Sequence, residues 1–289
     1  MDVNAFCAPG INGRGYTCFD RSGLIRIINK YNQYYPQRKI RYNSDTPDHI
    51  LWKMIRDGLA DVCHDQEYCW LDQEFLKEDR SVQKYYKPPI PPRPHQWLST
   101  SDIDNVLKQY EILFPNFIFM GTVPIDFDDI IREYRYIDIC RLYRGEKVSR
   151  SKPVRITKYG FVFNLDPHDQ RGSHWVSMFL SLSSPHIFIG FFDSYGTPPP
   201  IQIVKLIRRL KKQIKNCFNV DIPYKCNTIQ HQHKNSECGV YSMYFIYRCL
   251  MGDSFETITE NIILDDAINR FRHFFFRPTI HYQKRNKRT

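Results

Sequence analysis

The sequence GSHWVSMFLSLSSPHIFIGFFDS, residues 172–194, contains two apolar runs separated by a short turn. The runs cover residues 174–182 and 186–193, and such nearly continuous apolar character is typical of strands buried on both faces of a sheet. The short Ser-Ser-Pro connection favours an antiparallel hairpin. This hairpin would bring His174, at the start of one strand, level with Asp193, at the end of the other. We therefore predict a central hairpin with a histidine–carboxylate pair at its open end.

Further strand and helix patterns lie on both sides of this hairpin. Short apolar or β-branched runs predict additional strands at 117–123, 160–165 and 223–229. Helical spacing of apolar residues predicts helices at 101–113, 201–218, 238–250 and within 258–276. The mixture predicts an α+β fold, with a small central β-sheet flanked by helices.

A proline-rich segment divides the chain. Residues 87–94 read KPPIPPRP, and prolines this close together cannot continue a helix or a sheet. We predict a helical N-terminal arm at 1–87, a linker at 88–94, a core at 95–276 and a basic tail at 277–289. Within the arm, Thr46-Pro47-Asp48 predicts a helix start, with Thr46 as the cap and Pro47 at the first helical position.

Glu237-Cys238-Gly239 stands where a polar loop changes to an apolar helix. The loop covers residues 231–236, and the predicted helix begins at Cys238. The partial positive charge of a helix N-terminus favours the thiolate form of a cysteine. Gly239 leaves room for a substrate carbonyl to approach the sulfur. Taken alone, the motif fits a catalytic nucleophile or a buried structural cysteine that opens a core helix.

His174 lies at the predicted rim of the sheet, where an imidazole can reach a thiol on another element. A histidine in this position can serve as the general base for a nucleophilic cysteine. The hairpin register predicts that Asp193 accepts a hydrogen bond from Nδ1 of His174, which leaves Nε2 facing Cys238. Taken alone, His174 also fits a structural residue that caps a strand, and Asp193 fits a turn residue.

Two glutamines precede Cys238 in the polar loop. A neutral amide can donate a hydrogen bond to a tetrahedral oxyanion, alongside the backbone N–H of the nucleophile. Gln232 and Gln230 both fit this role. The residues alone do not decide between them, because glutamines in loops are often simply solvated.

The formal net charge of the 289-residue chain is +10, and a basic balance favours association with polyanions such as nucleic acid. Much of the charge is local: one predicted helix carries Arg208, Arg209, Lys211, Lys212 and Lys215, and the tail carries Lys284, Arg285, Lys287 and Arg288. These clusters predict either DNA contacts through basic patches or solvated surface.

Nine cysteines are scattered without a repeated spacing. The sequence has no secretory leader pattern and no apolar run of membrane-spanning length, so we expect an intracellular, reduced protein with free thiols, not secreted and without membrane contact. Cys63, His64 and Cys69 suggest a partial zinc site, but the two cysteines are farther apart than zinc pairs usually are. We expect no metal and no cofactor. Cys140, Cys217, Cys226 and Cys249 are expected to be packing residues.

Four short motifs occur in the order His-Trp, Asp-Ser, Gln and Cys-Gly, at His174, Asp193, Gln232 and Cys238. This order resembles the superfamily that joins adenovirus-type proteases with SUMO-deconjugating proteases. Gln96-Trp97-Leu98 resembles the opening of the deconjugase catalytic domain. The architecture looks most similar to the polyprotein-processing proteases of African swine fever virus and other large DNA viruses. Those proteins have a helical N-terminal arm and a segment like Asn235–Gly239.

The resemblance implies Cys238 as nucleophile, His174 as base, Asp193 as orienter and Gln232 as oxyanion donor. Some viral members of the group carry Asn in place of this acid. The resemblance also implies substrate contacts at Trp175, Trp97, Gly239 and Asn235. Trp175, which follows the histidine, resembles the aromatic residue that confines the substrate in these enzymes. Such a residue would suit the Gly-Gly sites that they prefer.

Three functions are compatible with these features. The first is a cysteine endopeptidase that cleaves viral structural polyproteins at Gly-Gly-x sites during virion maturation, in the virus factory of the host cytoplasm and in the virion. The second is a deconjugating protease that acts on SUMO or another ubiquitin-like protein with the same chemistry. The third is a basic nucleic-acid-binding protein built on an inactive protease fold.

Overall fold

The structure is a computed structural model, and the described residues are 3–11, 13, 15–93, 95–144, 148–149 and 152–279. The chain separates into two compact units. The first unit contains the described residues up to Pro92 together with those from His273 onward, and the second unit spans Arg93–Arg272.

The first unit is mainly helical, as the sequence predicts for the arm. Its elements are the 3-10 helices Val3–Phe6 and Glu67–Asp72, and the α-helices α1 (Arg21–Tyr34), α2 (Asp48–Gly58), α3 (Ala60–Cys63) and α4 (Arg80–Gln83). Asp20 caps α1 by accepting a hydrogen bond from the backbone N–H of Gly23, at 2.8 Å. The predicted cap of α2 is wrong by one residue: Pro47 is the N-cap, and the hydroxyl of Thr46 donates to Asn43 instead.

The C-terminal part of the chain pairs with the end of the first 92 residues. The backbone N–H of Ile90 donates to the carbonyl of Arg277 at 2.8 Å. The side chain of Arg277 is almost fully buried, and its Nη2 lies 2.6 Å from Oδ1 of Asp72. Arg277 was assigned to the basic tail, but it is a paired residue of the first unit. The other tail cations, Lys284 to Arg288, lie outside the described residues.

Six of the nine cysteines form disulfides, which corrects the expectation of free thiols. The pairs are Cys7–Cys18 and Cys63–Cys69 in the first unit and Cys140–Cys217 in the second. Their Cα atoms are 5.4, 5.4 and 6.1 Å apart, within the range that a disulfide can bridge. The sequence could not show this, because partner choice depends on distances created by the fold. Cys226, Cys238 and Cys249 are free.

The second unit contains the mixed part of the fold. Its helices are α5 (Thr100–Leu107), α6 (Tyr110–Leu113), α7 (Phe127–Ile130), α8 (Arg132–Arg135), α9 (Ile139–Tyr143), α10 (Ile201–Phe218), α11 (Cys238–Met251), α12 (Phe255–Glu260) and α13 (Asp265–Phe275), of which α13 continues past the boundary at Arg272. Its strands are β1 (Phe117–Pro124), β2 (Val148–Ser149), β3 (Lys152–Pro153), β4 (Lys158–Asn164), β5 (Trp175–Ser181), β6 (Phe188–Phe192) and β7 (Tyr224–Cys226).

Five strands form one sheet in the order β1-β4-β5-β6-β7, and β2 pairs with β3 separately. The outer pairs β1–β4 and β6–β7 are parallel, and the inner pairs are antiparallel. Every residue of β5 and β6 is buried, which confirms the predicted central hairpin. Apolar side chains of α10 share a core with Val176, Met178 and Leu180 of β5, while α11 packs against β5 as well. The predicted α+β class is therefore correct.

Most predicted elements are present, with two corrections. The run at 101–113 forms two helices, α5 and α6, separated at Lys108 and Gln109. The strand predicted at 223–229 shortens to the three residues of β7. Among the described residues, no helix is long and apolar enough to cross a membrane.

Candidate active site

His174 and Asp193 lie just beyond the ends of β5 and β6. The ladder of the hairpin ends at the pair Ser177–Phe192, so His174 and Asp193 are offset along the strands. Nε2 of His174 lies 2.6 Å from Oδ1 of Asp193, and both side chains are buried. The predicted contact is present, but the predicted nitrogen was wrong. A diagonal partner lies farther away than a directly opposite one, so the distal nitrogen of the ring reaches the acid.

Cys238 is the first residue of α11 and is 2% exposed. It lies close enough to His174 to contribute to raising the pKa of the imidazole. Because Nε2 of His174 contacts Asp193, Nδ1 is the nitrogen left for the sulfur. Burial lowers the pKa of His174, but the hydrogen bonds and charges of Asp193 and Cys238 outweigh it and raise the pKa to about 9. The surroundings therefore favour a protonated imidazole beside the sulfur.

Asn227 fixes the position of Asp193, a role that the sequence analysis missed. Its Oδ1 accepts from the backbone N–H of Asp193 at 2.9 Å, and its Nδ2 donates to the carbonyl of Asp193 at 2.7 Å. The structure explains the contact, because β6 and β7 are parallel and residues that follow parallel strands meet at one edge of the sheet. Asn227 follows β7 directly, as Asp193 follows β6. No sequence signal pointed to Asn227, since it fell inside the strand predicted at 223–229.

Tyr195 is a second residue that the sequence analysis missed. Its ring stacks on the imidazole of His174, with centroids 4.7 Å apart and an interplanar angle of 27°. Its backbone N–H donates to Oδ1 of Asp193 at 2.9 Å. Its hydroxyl accepts from Nε2 of Gln232 at 3.3 Å. Tyr195 therefore contacts three of the four residues predicted to be catalytic.

Gln232 is the buried one of the two candidate glutamines, whereas Gln230 is exposed. Its Oε1 accepts from the hydroxyl of Ser194 at 2.7 Å, and its Nε2 donates to the carbonyl of Lys234 at 2.6 Å. Its backbone N–H donates to the carbonyl of Ser194 at 2.9 Å. The amide is thus anchored beside Tyr195, with its hydrogens engaged by Lys234 and Tyr195.

Of the four predicted substrate contacts, Trp175 and Gly239 lie together. The indole N–H of Trp175 donates to the carbonyl of Leu98 at 2.9 Å. A Cβ added at Gly239 would lie 3.1 Å from Cβ of Leu98 and 3.3 Å from Cδ1 of Trp175. Only glycine fits this close packing beside Cys238 without displacing a neighbour.

Trp97 and Asn235 lie on the surface of the second unit. The side chain of Trp97 is 45% exposed, next to buried Leu98. Asn235 is exposed in the loop that leads into α11. The structure assigns neither side chain a contact with His174, Asp193 or Cys238.

The buried acid Asp265, at the start of α13, holds the loop that carries Gln232. Its Oδ2 accepts from the backbone N–H groups of His233 and Lys234, at 2.9 and 3.0 Å. Its Oδ1 accepts from the hydroxyl of Tyr241, a residue of α11, at 3.2 Å. One carboxylate therefore ties the loop to the helix that begins at Cys238.

An acid, a histidine and a cysteine that follow one another in space, with the cysteine at a helix N-terminus, fit the chemistry of a cysteine-type peptidase. Within the described residues, no group of three or more His, Cys, Asp or Glu side chains could hold a metal ion. The class of protein defined by this fold and site is therefore a cysteine-type peptidase.

The chain belongs to the Ulp1 protease family, whose C-terminal catalytic domain matches residues 161–281. It is 31% identical over 279 residues to a putative thiol protease of Acanthamoeba polyphaga mimivirus, covering 90% of this chain and 89% of the relative. It is 26% identical over 220 residues to a cysteine protease of African swine fever virus, covering 75% of this chain and 81% of the relative.

A solved structure confirms the fold. The crystal structure of a protease of African swine fever virus superposes with a TM-score of 0.68, covering 96% of this chain and 98% of the other, at 24% identity. The similarity to the mimivirus relative confirms the family resemblance given by four short motifs. The shared fold extends beyond the catalytic core to nearly the whole chain.

Proposed function

We propose that this protein is a viral cysteine endopeptidase that processes structural polyproteins at Gly-Gly-x sites during virion maturation, in the virus factory of the host cytoplasm and in the virion. The observation that carries the proposal is the linked series of Asp193, His174 and Cys238 at the start of α11. The similar relatives are viral proteins named as thiol or cysteine proteases.

The proposed reaction is acyl transfer through Cys238. The thiolate attacks the scissile carbonyl and forms a C–S bond, while the imidazolium of His174, oriented by Asp193, protonates the amine as the C–N bond breaks. Gln232 and the backbone N–H of Cys238 stabilise the oxyanion, which requires the amide of Gln232 to exchange a present acceptor for the substrate. Water, deprotonated by His174, then cleaves the thioester and restores the thiolate.

Close packing beside Cys238 supports a preference for small residues before the scissile bond. Trp175 is buried and fixed by its hydrogen bond to Leu98, and Gly239 packs against both. A rigid apolar wall next to the nucleophile would exclude branched side chains from the approaching strand. Glycine, which has no side chain, would approach Cys238 without a steric clash with this wall.

The test is cleavage of Gly-Gly-x peptides from capsid polyproteins of the same virus, read by mass spectrometry. We expect cleavage after the second glycine, with loss of at least about tenfold in rate when both glycines are replaced by alanine. Cys238→Ala should be inactive while keeping the same melting temperature. A Cys238→Ala protein with full activity would remove the proposed nucleophile.

The second candidate is a protease for SUMO or another ubiquitin-like protein. Its support is that some relatives, from other African swine fever virus isolates, are named SUMO-1 cysteine protease. A SUMO fusion incubated beside the capsid peptides separates the two candidates, since cleavage of the fusion alone would reject polyprotein processing.

A DNA contact is proposed for α10 as a secondary property of the enzyme. Lys205, Arg208 and Lys212 are exposed at helical spacing, whereas Arg209 pairs with Asp128 and Lys215 with Asp221. Replacing the three exposed cations with Gln should weaken duplex DNA binding and its salt dependence. Peptide cleavage without DNA should not change. Equal DNA affinity of this variant and the natural chain would reject α10 as the contact.

A further inference from the structure

A buried arginine at the end of the second unit contacts the segment that leads into Cys238. Arg272 is 5% exposed. Its Nη2 donates to the carbonyl of Ser236 at 2.8 Å, and its Nη1 donates to the carbonyl of Gln96 at 2.9 Å. Ser236 lies two residues before Cys238, and Gln96 lies two residues before Leu98. One guanidinium therefore joins the approach to the nucleophile with the approach to the apolar wall.

A second group of contacts also holds Ser236. The carboxylate of Glu237 accepts from the backbone N–H and the hydroxyl of Ser236, both at 2.8 Å. Asn269 donates from Nδ2 to Glu237 at 2.9 Å and accepts at Oδ1 from Nε of Arg272 at 3.0 Å. Both backbone polar groups of Ser236 are thereby fixed by buried, charged side chains.

The charges of Arg272 and Glu237 act on each other in this network. Burial lowers the pKa of Arg272, and the charges of Glu237 and Cys238 oppose that change. Burial raises the pKa of Glu237, but hydrogen bonds from Asn269 and Ser236 and the charge of Arg272 outweigh it and lower the pKa. Arg272 therefore acts electrostatically on Glu237 while it donates hydrogen bonds to the backbone carbonyls of Ser236 and Gln96.

We propose that Arg272 is a positioning residue for catalysis, which sets the sulfur of Cys238 against the wall formed by Leu98 and Trp175. The inference rests on the proposed protease function and goes beyond the residues that perform the chemistry. The guanidinium donates three hydrogen bonds in fixed directions, to Asn269, Ser236 and Gln96. A lysine carries the same charge but cannot reproduce this planar fork.

The conservative substitution Arg272→Lys tests the geometry of the guanidinium separately from its charge, because lysine keeps the charge but loses the planar fork. We expect kcat on a Gly-Gly-x peptide to fall about 10- to 100-fold, because small displacements of reacting groups are costly in rate. KM should change less than about threefold, since bulk substrate contacts remain. Arg272→Met, which loses the charge as well, should be slower than Arg272→Lys. Full kcat in a folded Arg272→Lys protein would overturn the proposal.

Arg209→Lys is the matched control. Arg209 also uses its guanidinium as a fork, to the carboxylate of Asp128 and the carbonyl of Tyr134, but these partners contact no residue of the catalytic series. We expect its kcat to equal that of the natural chain. If Arg272→Lys fails to fold, Asn269→Ala tests the proposal instead. We expect its kcat to fall about threefold to tenfold, and an unchanged kcat would reject the positioning role of this hydrogen-bond network.

Alkylation of Cys238 by iodoacetamide tests the inference without any peptide substrate. The rate of modification at Cys238, read by mass spectrometry, should fall about tenfold in Arg272→Met and less in Arg272→Lys. If the natural chain cleaves no peptide but these rates change as expected, the proposed function fails and the positioning role stands. If the peptide is cleaved and both variants match the natural chain in kcat and alkylation, the positioning role fails alone.

Discussion

His174 sets the pH range in which the proposed reaction can run. Burial lowers its pKa, but Asp193 and Cys238 raise it from 6.5 to about 9. Because the imidazolium protonates the leaving amine, kcat/KM should fall as the pH rises through about 9. The sign is the same for folding: a raised pKa contributes stability that is complete below the unfolded value and is lost as the pH rises through the folded value.

The pH–rate profile of Asp193→Asn provides the control. The amide keeps a polar partner for Nε2 but removes the negative charge, so the alkaline limb should move to lower pH. The maximal rate should fall at least about tenfold. An alkaline limb that stays in place in this variant would show that a group other than His174 controls it.

Tyr195 allows the ring and the hydroxyl to be tested separately. Tyr195→Phe keeps the stack on His174 but loses the contacts with Gln232 and Lys234, so we expect a fall in kcat of about twofold to fivefold. Tyr195→Ala also removes the stack, and we expect a further fall of about twofold to tenfold. Steady-state kinetics measure kcat for both variants. Equal kcat values for Tyr195→Phe and Tyr195→Ala would show that the stack on His174 contributes nothing.

At the level of residues, the sequence predicted the pair His174–Asp193 because strand pairing is a local consequence of the hairpin. The choice of nitrogen was wrong because it depends on register, which apolar runs do not determine to one residue. Asn227 and Tyr195 were missed for a different reason. Both contact residues that lie in other segments of the chain, and neither residue type has a characteristic spacing from His174, Asp193 or Cys238.

At the level of elements, α13 supports the site through Asp265. Asp265→Ala would leave the N–H groups of His233 and Lys234 without their carboxylate acceptor. We expect a loss of about 2 to 4 kcal/mol in unfolding free energy, because removing one partner of a buried charged hydrogen bond is costly, and a lower kcat because Gln232 lies in the same loop. Urea denaturation and steady-state kinetics measure the two effects.

The neighbouring Asp266 is the matched control for Asp265. Its side chain is 82% exposed and pairs with Lys234 at the surface, and exposed ion pairs contribute little. Asp266→Ala should therefore change neither stability nor kcat appreciably. Equal losses in the two variants would mean that the charge of α13, and not the buried contacts of Asp265, supports the loop.

Elements with strong periodicity were the most predictable. Helix α10 was predicted with its observed bounds, since its apolar residues repeat at helical spacing along its whole length. The separation of α5 from α6 was not predictable in the same way, because it falls inside one continuous apolar pattern. Likewise, β7 is an edge strand of three residues, and its length is set by pairing with β6 and not by its own sequence.

At the level of the whole molecule, described residues from the N-terminal and the C-terminal parts of the chain both contribute to the first unit. Arg277 pairs with Asp72 across a separation of 205 residues, and its backbone is bonded to that of Pro88 and Ile90. Composition suggested a linker at 88–94 and, after the core, a separate basic tail at 277–289. A contact this remote leaves no trace in local composition, so only the tertiary structure shows it.

The disulfides provide the last prediction, because each should stabilise the protein according to the length of the loop that it closes. Cys140–Cys217 spans 77 residues, whereas the first-unit pairs span 11 and 6. Loop-closure entropy grows with the length of the closed loop, so removing Cys140–Cys217 should cost up to about 4 kcal/mol, against about 2 to 3 for either first-unit pair. Cys140→Ser/Cys217→Ser and Cys63→Ser/Cys69→Ser, compared by urea denaturation, measure this difference.

Activity should respond differently from stability in the same variants. Cys238 is a free thiol, and the proposed reaction needs this thiol to be reduced. The first unit, in contrast, contains two disulfides that close short loops. Both double variants should retain kcat under conditions where they are folded, because neither disulfide contacts the catalytic series. A loss of kcat in folded Cys140→Ser/Cys217→Ser would instead place α9 and α10 among the elements that position the site.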